Sequence, residues 1–188
     1  MTTATKPREH VEIRYMSTFE KITSAFYAGK RRCFLEGSSW ASKTYSVMQF
    51  LNELLAHSER PLVATVSSES LPHLKRGAIR DFLSITQLDG TFRDSYWNKS
   101  DFVYTFPKSK SILEFVSADS GAKFTGGRRD IGFCNELNHI AQNAYRQFDM
   151  RTRMFTIGDW NPESEFWFHE DHIADLPENV LIHAVYQD

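Results

Sequence analysis

Apolar residues along the chain form two kinds of pattern, short continuous runs and stripes with helical spacing. The runs are typical of buried strands and occupy residues 31–36 (RRCFLE), 61–66 (PLVATV), 130–136 (DIGFCNE), 154–160 (MFTIGDW) and 179–186 (NVLIHAVY). The helical stripes lie between them, over residues 15–27, 44–58, 70–82, 142–150 and 163–169. Strands that alternate with helices predict an α/β fold with a mainly parallel sheet flanked by helices.

One segment interrupts this alternation. Residues 101–106 (DFVYTF) and 111–118 (SILEFVSA) are both strand-like, and the short polar sequence PKSKS joins them. Two such runs with a short polar connection predict an inserted β-hairpin. Its exposed tip carries Lys108 and Lys110, which makes the tip a candidate for contacts with DNA phosphates.

The composition is that of one globular domain over residues 1–188. Apolar residues make up 41% and charged residues 24% of the chain, which excludes a disordered protein. The formal net charge of −2 gives no global basic field, and no apolar run approaches the ~20 residues of a membrane helix. Cys33 and Cys134 lie in apolar runs without metal-ligand spacing. With no signal peptide, these features predict a cytoplasmic protein without a membrane partner, flexible over residues 1–12.

The stretch EGSSWASKTYS, residues 36–46, resembles a phosphate-binding loop. Such a loop reads Gly, four residues, then Gly-Lys-Ser/Thr, and here Ser42 replaces the second glycine. A buried strand precedes the stretch and an amphipathic helix follows it, as the motif requires. The predicted nucleotide-binding residues are Gly37, Ser38, Ser39, Trp40, Ala41, Ser42, Lys43 and Thr44. The alternative is a serine-rich helix N-cap beside a surface lysine.

Three residues of this loop have distinct predicted roles. Lys43 would reach the β- and γ-phosphates of ATP, and the Thr44 hydroxyl would bind Mg²⁺. Ser42 would take the left-handed backbone conformation normally given to glycine, at a cost of roughly 1 kcal/mol.

A second motif stands at the end of the buried run 130–136. Asn135 and Glu136 follow four apolar or small residues, at the place where ATPases carry a carboxylate pair. Glu136 is predicted to activate the attacking water. The Asn135 amide oxygen would accept a hydrogen bond from a Mg²⁺-bound water or from Thr44, without the charge of an aspartate.

With these motifs in order, residues 34–188 resemble the ATPase domain of the large terminase subunit, the DNA-packaging motor of tailed bacteriophages. The resemblance is carried by GSSWASKTYS, FTGGRRDIGFCNELNHI, YRQFDMRTR and FTIGDWNPESEFWFHEDH. It implies a P-loop NTPase fold of the additional-strand, catalytic-glutamate, RecA-like type. It also implies ATP and Mg²⁺ as cofactors, and hydrolysis coupled to translocation of double-stranded DNA into a procapsid in the host cytoplasm.

The resemblance implies partners and further residues as well. The expected partners are double-stranded DNA, the portal of the procapsid, the small terminase subunit and other copies in a ring, usually a pentamer. The nuclease domain of large terminases would lie beyond residue 188, so this chain is expected to hydrolyse ATP weakly in isolation and to lack nuclease activity. Asn161, at the end of the run 154–160, matches the segment that couples hydrolysis to movement and senses the γ-phosphate.

Many members of this family carry an arginine inside the phosphate loop, and this sequence has Trp40 in that region. The expectation therefore moves to Arg128 and Arg129, either of which could reach the γ-phosphate of a neighbouring subunit.

Two other functions stay open. Trp40, Ser42 and Asn135 depart from the family's pattern and favour a nucleotide-binding module with little hydrolysis, acting as a docking or regulatory domain. A small P-loop kinase fits less well, because Glu136 indicates activation of water and no phosphoacceptor motif is recognisable.

Overall fold

The predicted strands lie side by side in one sheet. In the computed structural model, residues 15–120 and 127–185 are described, and in these residues the sheet has eight strands. They are β1 Arg32–Gly37, β2 Val63–Ser68, β3 Trp97–Asn98, β4 Val103–Thr105, β5 Ile112–Ser117, β6 Arg129–Cys134, β7 Thr152–Trp160 and β8 Asn179–Ala184. Residues 1–12, predicted to be flexible, are outside the described part of the chain.

The order of the strands is β3-β4-β5-β2-β6-β7-β1-β8. All neighbours from β5 to β8 in this order run parallel, and β3–β4 and β4–β5 are antiparallel. The mainly parallel sheet and the inserted hairpin are therefore confirmed. The two-residue strand β3 extends the hairpin by one strand that the sequence pattern did not predict.

Helices cover both faces of the sheet. They are α1 Ser17–Tyr27, α2 Lys43–His57, α3 Leu71–Arg76, α4 Ala78–Leu88, α5 Gln142–Met150 and α6 Trp167–Glu170. No described helix has the length and apolar character needed to cross a membrane. The single helix predicted for residues 70–82 is wrong, because Gly77, with φ −106° and ψ −104°, separates α3 from α4.

Alternate side chains of each central strand enter two different cores. In β1, Cys33 and Leu35 join the cluster under α1, α2 and α4, whereas Phe34 joins the opposite cluster with Phe148 and Phe168. This follows from the period of two along a strand. Because β6 is buried at all six positions, it reads in the sequence as a continuous apolar run rather than an alternating one.

The topology brings three strand ends together. β1 lies between β7 and β8, and β6 lies on the other side of β7. The carboxyl ends of parallel strands meet at one edge of a sheet, where α/β proteins form their ligand sites. The residues after β1 and β6 and the end of β7 therefore share one edge.

Gly132→Ala is expected to destabilise the fold. A Cβ at Gly132 would overlap Phe148 Cε1 and lie 2.8 Å from Thr152 Oγ1. Overpacking of this kind costs about 1–3 kcal/mol, and urea unfolding should show a loss of that size. Gly127→Ala is the matched control, because its Cβ would meet no described atom within 4 Å. Equal losses in the two variants would contradict this packing.

Candidate functional site

The loop between β1 and α2 has the backbone geometry of a tight phosphate-binding turn. Ser42 lies in the left-handed region, with φ 50° and ψ 24°, which confirms the conformation predicted for it. The Ala41 amide donates to Ser38 O at 3.0 Å and closes the turn. Gly37 is required by a close approach, because a Cβ there would overlap the carbonyl of Ala184 in β8.

Lys43 is the first residue of α2, and its ammonium lies at the inner edge of this loop. Its Nζ donates to Gly37 O at 2.6 Å, to Ser38 O at 2.9 Å and to Asn161 Oδ1 at 3.0 Å. Burial lowers the pKa of Lys43, against the opposing effect of the nearby Asp159 and Glu136 carboxylates. Three oxygen partners thus hold the side chain in place for contact with an anion over the loop.

A buried carboxylate, Asp159, stands at the centre of the site. Its Oδ2 accepts from Thr44 Oγ1 at 2.9 Å, and its Oδ1 accepts from Asn135 Nδ2 at 3.0 Å and from the Glu136 backbone amide at 2.8 Å. The residue is 2% exposed. Desolvation by burial raises its pKa, although these hydrogen bonds and Lys43 oppose the shift.

Asp159 is a site residue that the sequence pattern alone did not reveal. It lies inside the run MFTIGDW, whose apolar character predicts only a strand with a coupling residue after it. A signal was present, because aspartate is almost never fully buried unless it has partners. An acidic residue within a buried strand, near the edge of the sheet where ligands bind, therefore itself indicates a functional site.

The end of β6 places Asn135 and Glu136 beside this carboxylate. Asn135 is buried, and its Nδ2 also lies 3.1 Å from Thr44 Oγ1. The amide oxygen of Asn135 was expected to face Thr44, but the amide nitrogen does so. The physical reason is that a carboxylate can only accept, so the neighbouring amide turns its donor toward Asp159.

Glu136 is held in a strained backbone conformation, with φ 58° and ψ 56°. Its amide is tied to Asp159, and its carboxylate points into the cleft, where Oε2 lies 3.3 Å from His73 Nδ1. Strain of this kind costs about 1–3 kcal/mol and persists where the surroundings fix the residue. The arrangement keeps the Glu136 side chain accessible, with 42% of it exposed.

Asn161 follows β7 directly and closes the site on the loop side. Its Oδ1 accepts from Lys43, and its Nδ2 donates to Ser39 Oγ at 3.1 Å. A cleft of about 520 Å³ opens over these groups, a size that suits a small ligand. Trp40 stands at the rim of the cleft and is 78% exposed.

Arg128 and Arg129 lie far from this cleft in their own chain. Both stand at the amino end of β6, about 20 Å along the strand from Asn135. Arg129 is 2% exposed, and its guanidinium carbon lies 4.0 Å from the centre of the Phe148 ring. Because a buried cation stacked on a ring cannot extend into another subunit, the expectation for Arg129 is wrong. Arg128 is exposed, and its role stays a prediction.

Solved structures of phage proteins share this architecture. The large terminase of a thermophilic bacteriophage superimposes with a TM-score of 0.80 at 14% identity, over 94% of this chain and 47% of that protein. The ATPase domain of the Thermus phage P74-26 large terminase gives 0.63 at 11% identity, over 92% of this chain and 86% of that domain. The chain has the fold of a large-terminase ATPase domain.

The HK97 bacteriophage large terminase gives the same result, with a TM-score of 0.71 at 12% identity over 90% of this chain and 39% of that protein. This chain thus spans about half the length of the thermophilic phage's large terminase, and less of the HK97 protein. Of the thermophilic phage's protein, one structure is a complex with ADP and another is a complex with ATP-γ-S. No protein-family model matches the sequence, and a search of the curated proteins finds no match.

Asp159→Asn should show how the buried carboxylate affects stability. The raised pKa means that the folded state holds the Asp159 proton more tightly than the unfolded state. The contribution of this proton to the unfolding free energy is therefore largest at acid pH. It is lost as the pH rises through the pKa of Asp159 in the folded state. The unfolding free energy of the wild type, relative to Asp159→Asn, should fall between pH 4 and pH 8.

Thermal unfolding can measure this difference, because ~1 kcal/mol corresponds to about 2–4 °C in Tm for a domain of this size. Asp94→Asn, at an exposed position, is the control for removal of one carboxylate. A wild-type-to-Asp159→Asn difference that stays constant from pH 4 to pH 8 would contradict the burial effect.

Proposed function

We propose that the chain is the ATPase domain of a viral DNA-packaging motor, which couples ATP hydrolysis to translocation of double-stranded DNA into a procapsid. The observation that carries this proposal is the arrangement of Lys43, Thr44, Glu136 and Asn161 around one cleft, at the carboxyl edge of a large-terminase ATPase fold. These side chains are the ones that hydrolysis of a nucleoside triphosphate needs, and they come from three neighbouring strand ends.

The phosphates of ATP would bind over residues 37–43. The backbone amides of the loop and the N-terminus of α2 attract an anion, and the Lys43 ammonium adds a full positive charge. A phosphate oxygen placed above the loop would compete with Asn161 Oδ1 for Lys43 Nζ. Binding of the triphosphate would therefore act on the end of β7 through Asn161.

The residues beside Lys43 fit a Mg²⁺ ion. The Thr44 hydroxyl and the Asp159 carboxylate are hard oxygen donors 2.9 Å apart, of the kind that Mg²⁺ prefers. Burial raises the pKa of the Asp159 carboxyl, and a divalent cation at this point would favour its charged form. When bound, the ion would neutralise negative charge on the phosphates.

Glu136 is the group that would activate water. Its carboxylate lines the cleft and would accept the proton as the water attacks the γ-phosphorus. The left-handed backbone and the hydrogen bond that the Glu136 backbone amide donates to Asp159 hold Glu136 at the cleft wall. The Nδ1 atom of His73 lies 3.3 Å from Oε2 of the same carboxylate.

The partners follow from the same proposal. A packaging motor acts with double-stranded DNA, the portal of the procapsid, the small terminase subunit and other copies of this chain in a ring, a pentamer in our proposal. The exposed hairpin with Lys108 and Lys110 would contact DNA phosphates. Alone, the chain would hydrolyse ATP slowly and would not cut DNA. It would act in the host cytoplasm.

A second candidate is a nucleotide-binding module with little hydrolysis. It is favoured by the uncharged Asn135 at the end of β6, which donates its amide to Asp159 and brings no negative charge of its own.

Substitutions at Lys43 and Glu136 separate the two candidates. Lys43→Ala removes the phosphate cation and should abolish binding of ATP and of hydrolysis products. Glu136→Gln keeps the shape and should bind ATP normally but lower the hydrolysis rate by about 10²–10⁴. The readouts are calorimetric binding with Mg²⁺ and phosphate release with procapsids and DNA. Normal hydrolysis by Glu136→Gln would contradict the assignment of the base, and a wild type that binds but never hydrolyses supports the second candidate.

Arg128 gives a test of action between subunits. If Arg128 reaches the neighbouring γ-phosphate, Arg128→Ala subunits mixed with wild type should lower the ATPase rate of assembled rings more than dilution does. Arg60→Ala, another exposed arginine substitution, is the control and should show dilution alone. A loss strictly proportional to the fraction of Arg128→Ala subunits would rule out this role.

A further inference from the structure

The first turn of α4 forms part of the wall of the cleft. The break at Gly77 redirects the chain after α3, and its amide donates to His73 O at 2.9 Å. As a result Gly77 and Arg80 line the same cleft as Lys43 and Glu136. Without the break, residues 70–82 would form one continuous helix, and the position of Arg80 at the cleft depends on it.

The Arg80 guanidinium is exposed and is held by a single carboxylate oxygen. Its Nε and Nη2 donate to Asp81 Oδ1 at 3.1 Å and 3.0 Å, and its side chain is 70% exposed. Asp81 is mostly buried, and desolvation raises the pKa of this carboxyl. Two donors on one oxygen leave the rest of the guanidinium available, because arginine carries five N–H groups.

The cleft has few positive charges for the binding of a polyphosphate. Among the described residues that line it, Lys43 and Arg80 are the cations, against the carboxylates of Asp81, Glu136 and Asp159. The loop itself has Trp40 and no arginine between residues 37 and 42. A triphosphate bound over Lys43 would therefore have Arg80, on α4, as the second cation of the protein near it.

We propose that Arg80 binds the γ-phosphate of the nucleoside triphosphate held in its own chain and leaves Asp81 to do so. The inference rests on the proposed function and adds to it an arginine that binds the γ-phosphate. Guanidinium groups bind phosphate oxygens through two parallel hydrogen bonds, a geometry that an ammonium lacks. Before nucleotide binds, the Arg80 guanidinium is held by its hydrogen bonds to Asp81.

The test compares two nucleotides on the 188-residue chain, at a concentration where light scattering shows a monomer. ATP-γ-S and ADP affinities are measured by calorimetry with Mg²⁺ for wild type, Arg80→Ala and Arg80→Gln. Both variants should bind ATP-γ-S about 10- to 100-fold more weakly, the range for hydrogen bonds to a charged group, and ADP within about twofold of wild type. Because the protein is a monomer at the chosen concentration, no neighbouring subunit can supply the arginine.

The matched control is Arg76→Ala. Arg76 is an exposed arginine on α3 whose Nε donates to Pro72 O, and it does not line the cleft. Its removal should leave both affinities unchanged. Unchanged ATP-γ-S affinity in Arg80→Ala, or equal losses for ATP-γ-S and ADP, would overturn the γ-phosphate contact while leaving the proposed function standing. A wild type that binds neither nucleotide would instead overturn the proposed function.

Asp81→Asn tests the resting position separately. Removal of the competing carboxylate should strengthen ATP-γ-S binding several-fold in the wild-type background and should have no effect in the Arg80→Ala background. The same gain in both backgrounds would show a general charge effect and would overturn the role given to Asp81.

Discussion

The buried carboxylate of Asp159 is the interaction on which the geometry of the site depends. It accepts hydrogen bonds from the first turn of α2, through Thr44, and from the end of β6, through Asn135 and the Glu136 amide. A buried charge is tolerable only when it is paired or hydrogen-bonded, so these three donors have to stay in place. The parallel register fixes them, since Leu35 pairs with Asp159 and Cys134 pairs with the preceding Gly158. A shift of one residue would turn the carboxylate to the opposite face of the sheet.

The same constraint explains the conformation of Glu136. Its amide is committed to Asp159, and the chain must then turn away from β6, which places the residue in the left-handed region. Ser42 holds the same region at the start of α2. Two strained non-glycine residues therefore flank the cleft, and strain of this kind gathers at functional sites because the surroundings enforce it.

The elements of the fold were predictable because each follows from a local pattern. β1, α2 and β6 are continuous or periodic apolar segments, and the phosphate loop could be recognised from Gly37, Lys43 and Thr44 between them. The residues that were missed depend on tertiary placement. Asp159 looked like one polar position in an apolar strand, and Arg80 lay within a helix predicted over residues 70–82 that Gly77 in fact breaks. Arg129 was predicted to be able to reach a neighbouring subunit, although the Phe148 ring and the sheet bury it.

The distribution of charge between β6 and β7 has a consequence for coupling. Where other ATPases carry a carboxylate at the end of β6, this chain has the amide of Asn135. The buried carboxylate of this site is instead Asp159, on the neighbouring strand β7. Under the proposed function, the group beside Mg²⁺, Asp159, and the group that senses the phosphates, Asn161, would then be two residues apart at the end of one strand. Loss of the γ-phosphate would change the partners of Asn161 and Asp159 at once, because Asn161 accepts a hydrogen bond from Lys43 and Asp159 accepts one from Thr44. A displacement of β7 would pass directly to β1 and β6, its neighbours in the sheet. Under the proposed function, the strand that carries the signal would also hold the metal-binding carboxylate, and no separate relay between the two would be required.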